Sequence, residues 1–108
     1  MWNVDTKILC NKHLLGEHVE MHMFVGTINK GISIRGYIEK GLVEPCIIKQ
    51  RHEELAFELV RRGMNHLSPL PKITKIKTDW SHAKVDVEDN IRELKKRCTD
   101  CNARISHL

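Results

Sequence analysis

One stretch near the start of the chain has residue types and spacing suited to chemistry. At about 100° per residue, His13, Gly16, Glu17, Glu20 and Phe24 share one side of a helix. A carboxylate beside a glycine on such a face is open to close approach by another backbone, and the plain alternative is a solvated glutamate. Leu14, Leu15, Met21 and Val25 form the expected core stripe, with His18 and His22 between the two sides. The i, i+4 spacing of those histidines suits one metal ion, with His52 or His66 completing a set, and this supports an alternative reading as a metal-dependent nuclease. Neutral core histidines satisfied by neighbours explain the same pair without a metal.

Cys98-Thr-Asp-Cys101 has the knuckle spacing of a zinc site, with His107 nearby and Cys10 and Cys46 distant in sequence. A second such pair is missing. The adopted reading leaves the four cysteines as free thiols and assigns no metal and no cofactor, with structural zinc and a redox dithiol as alternatives. No secretory pattern is present at the N-terminus, which disfavours a disulfide framework.

An all-α, compact single-domain bundle over residues 1–108 must position these groups. The chain's 108 residues and 12.6 kDa leave no room for a second core. Three main helices are expected. The first runs from about Lys7 to about Asn29 behind Asp5 and Thr6, and Ser33 to Lys40 holds two short turns. A long helix begins at Pro45 and stops at Arg62 on Gly63, with Ile48, Leu55, Leu59 and Phe57 inward. Ser68 to Trp80, with Pro69 and Pro71, reads as an irregular basic connection. Asp86 caps a last helix from about Val87 to about Arg97, whose C-terminal lysines and arginine suit the helix dipole.

Charge points to an acidic partner. The net charge is +4, and all of the excess lies after Glu54. Each Lys or Arg set near a phosphate releases condensed counterions. Lys49, Arg51, Arg61 and Arg62 on the long helix suit a phosphate backbone, as a DNA-binding module without catalysis would also require. No apolar run reaches the ~20 residues of a membrane span, so a soluble, cytoplasmic monomer is expected.

The run His13-Leu-Leu-Gly-Glu-His-Val-Glu-Met-His22 followed by Phe24-Val-Gly26 resembles the first helix of the phage pyrimidine-dimer DNA glycosylases of the endonuclease V type. Ile48-Lys-Gln-Arg-His-Glu-Glu-Leu and Leu59-Val-Arg-Arg-Gly-Met-Asn65 resemble that family's central helix. The resemblance implies a small all-α repair enzyme of a bacterial or phage-infected cell. It would act on double-stranded DNA containing a damaged pyrimidine or an abasic site, cutting the glycosyl bond and then nicking the strand. The family's nucleophile is the α-amine of the first residue. Trp2 is too bulky to favour removal of the initiator, so the amine here belongs to Met1. Glu20 matches the family's essential acid, with His13 on the same face as a further catalytic residue and Glu17 there as a DNA-contacting one, while Lys12, Arg35, Lys49 and Arg51 would meet phosphates. Val19 and Met23 stand where the dimer-specific enzymes carry arginines. An α-amine loses its proton near pH 8, so a usable fraction is nucleophilic at neutral pH.

Overall fold

The structure is a computed structural model that describes residues 1–64, 68–74 and 78–107. Among these residues five helices follow in order: α1 (Asn11–Asn29), α2 (Arg35–Glu39), α3 (Ile48–Arg61), α4 (Val87–Arg97) and α5 (Thr99–Ser106). Short 3-10 turns occur at Thr6–Ile8, Pro45–Ile47 and Thr78–His82, and no strand is present among the described residues.

The first expected helix is divided. Asp5 accepts from the Lys7 amide at 3.0 Å and caps only the 3-10 turn, and α1 starts after an extended Cys10. The long second helix likewise opens as a 3-10 turn behind Pro45. Both helices end where expected for the same reason. Gly31 (φ 75°) and Gly63 (φ 88°) take left-handed conformations, and the Ile32 and Met64 amides reach back to the Thr27 and Leu59 carbonyls.

The core lies chiefly between α1 and α3. On α1 the buried stripe is Leu14, Glu17, His18, Met21, Phe24, Val25 and Ile28, a clean i, i+3, i+4, i+7 pattern. It is rotated from the expected one: Leu15 is 46% exposed, whereas Phe24 and Glu17 turn inward. On α3 the inward stripe is Ile48, Arg51, His52, Leu55, Glu58 and Leu59. Phe57 lies two residues beyond Leu55, on the opposite side, and is 74% exposed.

Asn29 ties down the connection through hydrogen bonds to the Lys72 carbonyl and the Thr74 amide, both at 2.9 Å. The expected α4 has the predicted bounds, with the Asp86 carboxylate accepting from the Asp89 amide at 3.0 Å. A fourth substantial helix, α5, was not expected. Cys98 is extended, ends α4 and caps α5 by accepting from the Cys101 amide at 3.4 Å. Helix α5 then rests on α4 and on the Thr6–Ile8 turn, bringing the C-terminal segment back to the start of α1.

Candidate active site

The chain start is held from several sides. The Met1 α-ammonium forms an ion pair with Glu20 and donates to the Leu42 carbonyl at 2.8 Å. Trp2 accepts from the Asn90 side chain at 2.8 Å through its carbonyl. Asn3 sits at φ 51°, a region that asparagine tolerates better than most residues. From there its amide donates to Glu17 and its side chain to Glu44, both at 3.3 Å. Glu44 also accepts from the Val85 amide at 3.2 Å, joining the N-terminal segment to the stretch before α4. These contacts fix the amine beside the Glu20 carboxylate while Glu20 stays 36% exposed, within reach of a ligand from solvent.

Glu17 has a different place. Its side chain and that of Arg51 are 0% and 2% exposed, joined by a two-pronged ion pair at 2.6 and 2.9 Å. The expectation that Glu17 and Arg51 touch DNA is therefore corrected, since both charges are spent on each other in the core and on Asn3. Gly16 offers no close approach either, because nothing lies within 4 Å of where its Cβ would stand. Lys12, Arg35 and Lys49 are exposed, as phosphate contacts must be. Arg35 pairs with Glu39 at 2.7 Å, and Lys49 lines a cavity of about 500 Å³ with Glu53 and residues 70–73. Val19, Met23, Tyr37 and Leu42 are exposed apolar groups. The first two flank Glu20 on α1, Leu42 supplies the carbonyl that holds the amine, and Tyr37 stacks edge-on against Phe24 at 5.2 Å.

His13, placed by sequence with Glu20, turns elsewhere. Its Nδ1 lies 3.2 Å from Cys10 Sγ and 3.5 Å from Cys101 Sγ, and Trp2 meets its ring edge-on at 5.8 Å. Cys98 Sγ is 3.8 Å from Cys10 Sγ. Burial pushes the Cys101 thiol up to about 12, while the Cys101 amide holds Cys98 below its ordinary value. Cys46 lies apart and is exposed.

His18, His22 and His52 also converge, with ring centroids 4.6 to 5.2 Å apart and no partner on any of their Nε2 atoms. His66, the fourth residue of the metal-dependent alternative, lies outside the described residues. Burial, reinforced by His52 and His22, lowers the His18 pKa and favours its neutral ring. At the far end of α3, Arg61 and Arg62 both hydrogen-bond Glu58 and hold its carboxyl at about 2.

Glu20 and the Met1 amine, singled out from the sequence, lie together, but nothing in the sequence singled out Leu42, Asn3, Glu44 and Asn90, which hold the chain start. Only Asn3 carried a signal, as a residue type tolerant of positive φ. The others act through a carbonyl or through contacts 41 and 88 residues away in sequence.

Among the described residues no helix is long and apolar enough to cross a membrane. No curated protein and no solved structure matches the chain. The family model of pyrimidine dimer DNA glycosylases matches residues 1–72, from the Met1 amine through α1, α2 and α3 to the tied connection. With two thirds of its length matched, including the helix that carries Glu20, the chain belongs to the pyrimidine dimer DNA glycosylase family.

Proposed function

We propose that the protein releases a damaged pyrimidine from double-stranded DNA and then nicks the resulting abasic strand, with the Met1 α-amine as nucleophile and Glu20 as acid and base. The observation that carries this reading is the contact between that amine and the half-exposed carboxylate. In the resting pair the ammonium must lose a proton before it attacks, and Glu20 is the adjacent acceptor. The freed lone pair forms a bond to the sugar C1′. The bond from C1′ to the base breaks, and its electron pair leaves with the base, which takes up a proton.

The nitrogen, now bonded to C1′ and carrying two protons, loses one of them, and opening of the sugar ring, with O4′ taking up a proton, gives a protonated imine between Met1 and C1′. Glu20 stabilises this cation across a short distance in partly excluded water. As base, it removes a proton from C2′, and the C3′–O bond breaks with its electron pair going to the departing phosphate. Water then hydrolyses the imine and restores the amine. The Leu42 carbonyl orients the amine throughout.

Exposing the sugar requires moving a nucleotide out of the stack, at a few kcal/mol that a lesion reduces. Val19, Met23 and Tyr37 provide an apolar rim for displaced bases, while Lys12, Arg35 and Lys49 meet phosphates. The protein acts as a monomer in the cytoplasm of a bacterial or phage-infected cell, where its substrate lies.

Borohydride trapping with an abasic duplex tests the chemistry, because reduction converts the imine into a stable covalent adduct. An adduct mapped to Met1 by peptide mass is expected. Salt-sensitive binding with no adduct would instead leave a DNA-binding module without catalysis.

A further inference from the structure

Two short pairs, Cys10-x2-His13 and Cys98-x2-Cys101, meet although 88 residues separate Cys10 from Cys98. Their four ligand atoms lie within 4.8 Å of one another. With zinc–sulfur bonds of ~2.3 Å and zinc–nitrogen bonds of ~2.0 Å, a tetrahedral site requires sulfur–sulfur edges of ~3.8 Å and sulfur–nitrogen edges of ~3.5 Å. The observed edges include 3.8 Å for Cys10 to Cys98, and 3.2 and 3.5 Å from His13 Nδ1 to Cys10 and Cys101. A disulfide would need its sulfurs at ~2.05 Å.

Backbone amides also point at the sulfurs, as they do around thiolates. The Cys10 amide lies 3.2 Å from Cys101 Sγ, and the Cys101 amide 3.4 Å from Cys98 Sγ. Three such sulfurs crowded round an imidazole leave weak donors facing one another, unless a cation occupies the centre.

We propose that Cys10, His13, Cys98 and Cys101 form a structural zinc site that clips the C-terminal helix α5 to the start of α1. Zinc is the ion favoured by three soft thiolates and one imidazole in a closed tetrahedron. Two of the ligands lie beyond the matched residues 1–72, so the clip joins the family-like body to the segment that follows it. Helix α5 has only eight residues, too few to hold together alone, and zinc binding supplies part of its folding energy. His13 carries the edge-on contact to Trp2, so the same ion steadies the residue next to the amine. The cluster of His18, His22 and His52 brings only three donors together among the described residues, and none of them is a thiolate.

The full chain, purified without an affinity tag, tests this directly by metal analysis and by cobalt titration of the stripped protein. One zinc per chain is expected, and cobalt should give the intense visible bands of a tetrahedral centre with thiolate-to-cobalt charge transfer. Cys98→Ser and Cys101→Ser should lose the metal and Cys46→Ser should keep it. Should the serine variants fail to fold, His13→Ala and His13→Cys supply the same distinction, since only the second restores a fourth ligand. The proposal is overturned by a wild-type chain without zinc or cobalt thiolate bands. It is equally overturned by a metal that survives Cys98→Ser but leaves with His52→Asn, or by a Cys10–Cys98 disulfide found under non-reducing conditions. Metal content and spectra read the site without reference to strand cleavage, so failure here leaves the amine chemistry standing, and the reverse also holds.

Discussion

Glu17 and Glu20 stand one turn apart on α1, yet the structure gives them opposite surroundings. Glu17 is sealed in the core and bound through both oxygens to Arg51, whereas Glu20 reaches water and meets the amine of Met1. The difference follows from what covers each position. α3 lies over the Glu17 side of α1 and carries a cation with it, while Glu20 is paired with the amine of the chain start. A carboxylate with its lone pairs fully engaged contributes structure, and one with a displaceable partner at the surface can exchange protons.

The largest expected effects fall on the Glu20 side. Glu20→Gln should lower the yield of borohydride adduct ~100-fold or more while leaving the thermal midpoint nearly unchanged. Acetylating the α-amine, or preceding Met1 with one extra residue, should abolish the adduct, with some loss of stability from the amine's contacts to Glu20 and the Leu42 carbonyl. A blocked chain that still forms the adduct would move the nucleophile to a side-chain amine and dissolve the contrast between the two glutamates.

On the Glu17 side the expected loss is in folding. Arg51→Ala leaves a buried carboxylate without its cation, at ~3–5 kcal/mol, enough to lower the thermal midpoint of a domain this small by more than 10 °C. Restoring apolar contacts with a paired Glu17→Leu and Arg51→Met should recover much of that loss. A stable Arg51→Ala protein that makes no adduct would show instead that the pair belongs to the chemistry.

How much of this was legible in the sequence depended on the range of the cause. Asp86, Gly31 and Gly63 act on residues within a turn of themselves, so the ends of α1, α3 and α4 followed from local pattern. The accessible place of Glu20 on α1 likewise followed from helical spacing. Glu17 did not, because its fate is decided by Arg51, 34 residues away. Taking it as a surface group rotated the whole expected stripe and put Leu15 inside in place of Phe24. Helix α5 escaped notice because its capping residue is Cys98, a side chain that reads as a thiol or a ligand before it reads as a cap.

Acid should separate two buried sets further. His18 is kept neutral by burial and by His52 and His22, with Glu53 facing His52 at 3.3 Å. Its folded-state pKa is lowered, so its contribution is fully present above ~6.5 and is lost as pH falls below that value and the unfolded chain takes up the proton. Glu58 also has a lowered pKa, held at about 2 chiefly by Arg61. Its contribution persists to about pH 4.5 and is lost between there and about 2. Chemical denaturation across pH should show both declines, and His18→Gln should remove only the first.

The smallest change in stability is expected at Arg35, whose ion pair with Glu39 has the same chemistry as Arg51 with Glu17 but lies in water. Exposed pairs contribute at most ~1 kcal/mol, so Arg35→Ala should scarcely move the thermal midpoint. If Arg35 meets a phosphate, the same change lowers the slope of log affinity against log salt by ~1, whatever the DNA sequence. Arg51→Ala should do the reverse under conditions where it remains folded, altering stability and leaving the slope alone. Equal slopes for wild type and Arg35→Ala would remove Arg35 from the DNA-facing surface and leave Lys12 and Lys49 to define it.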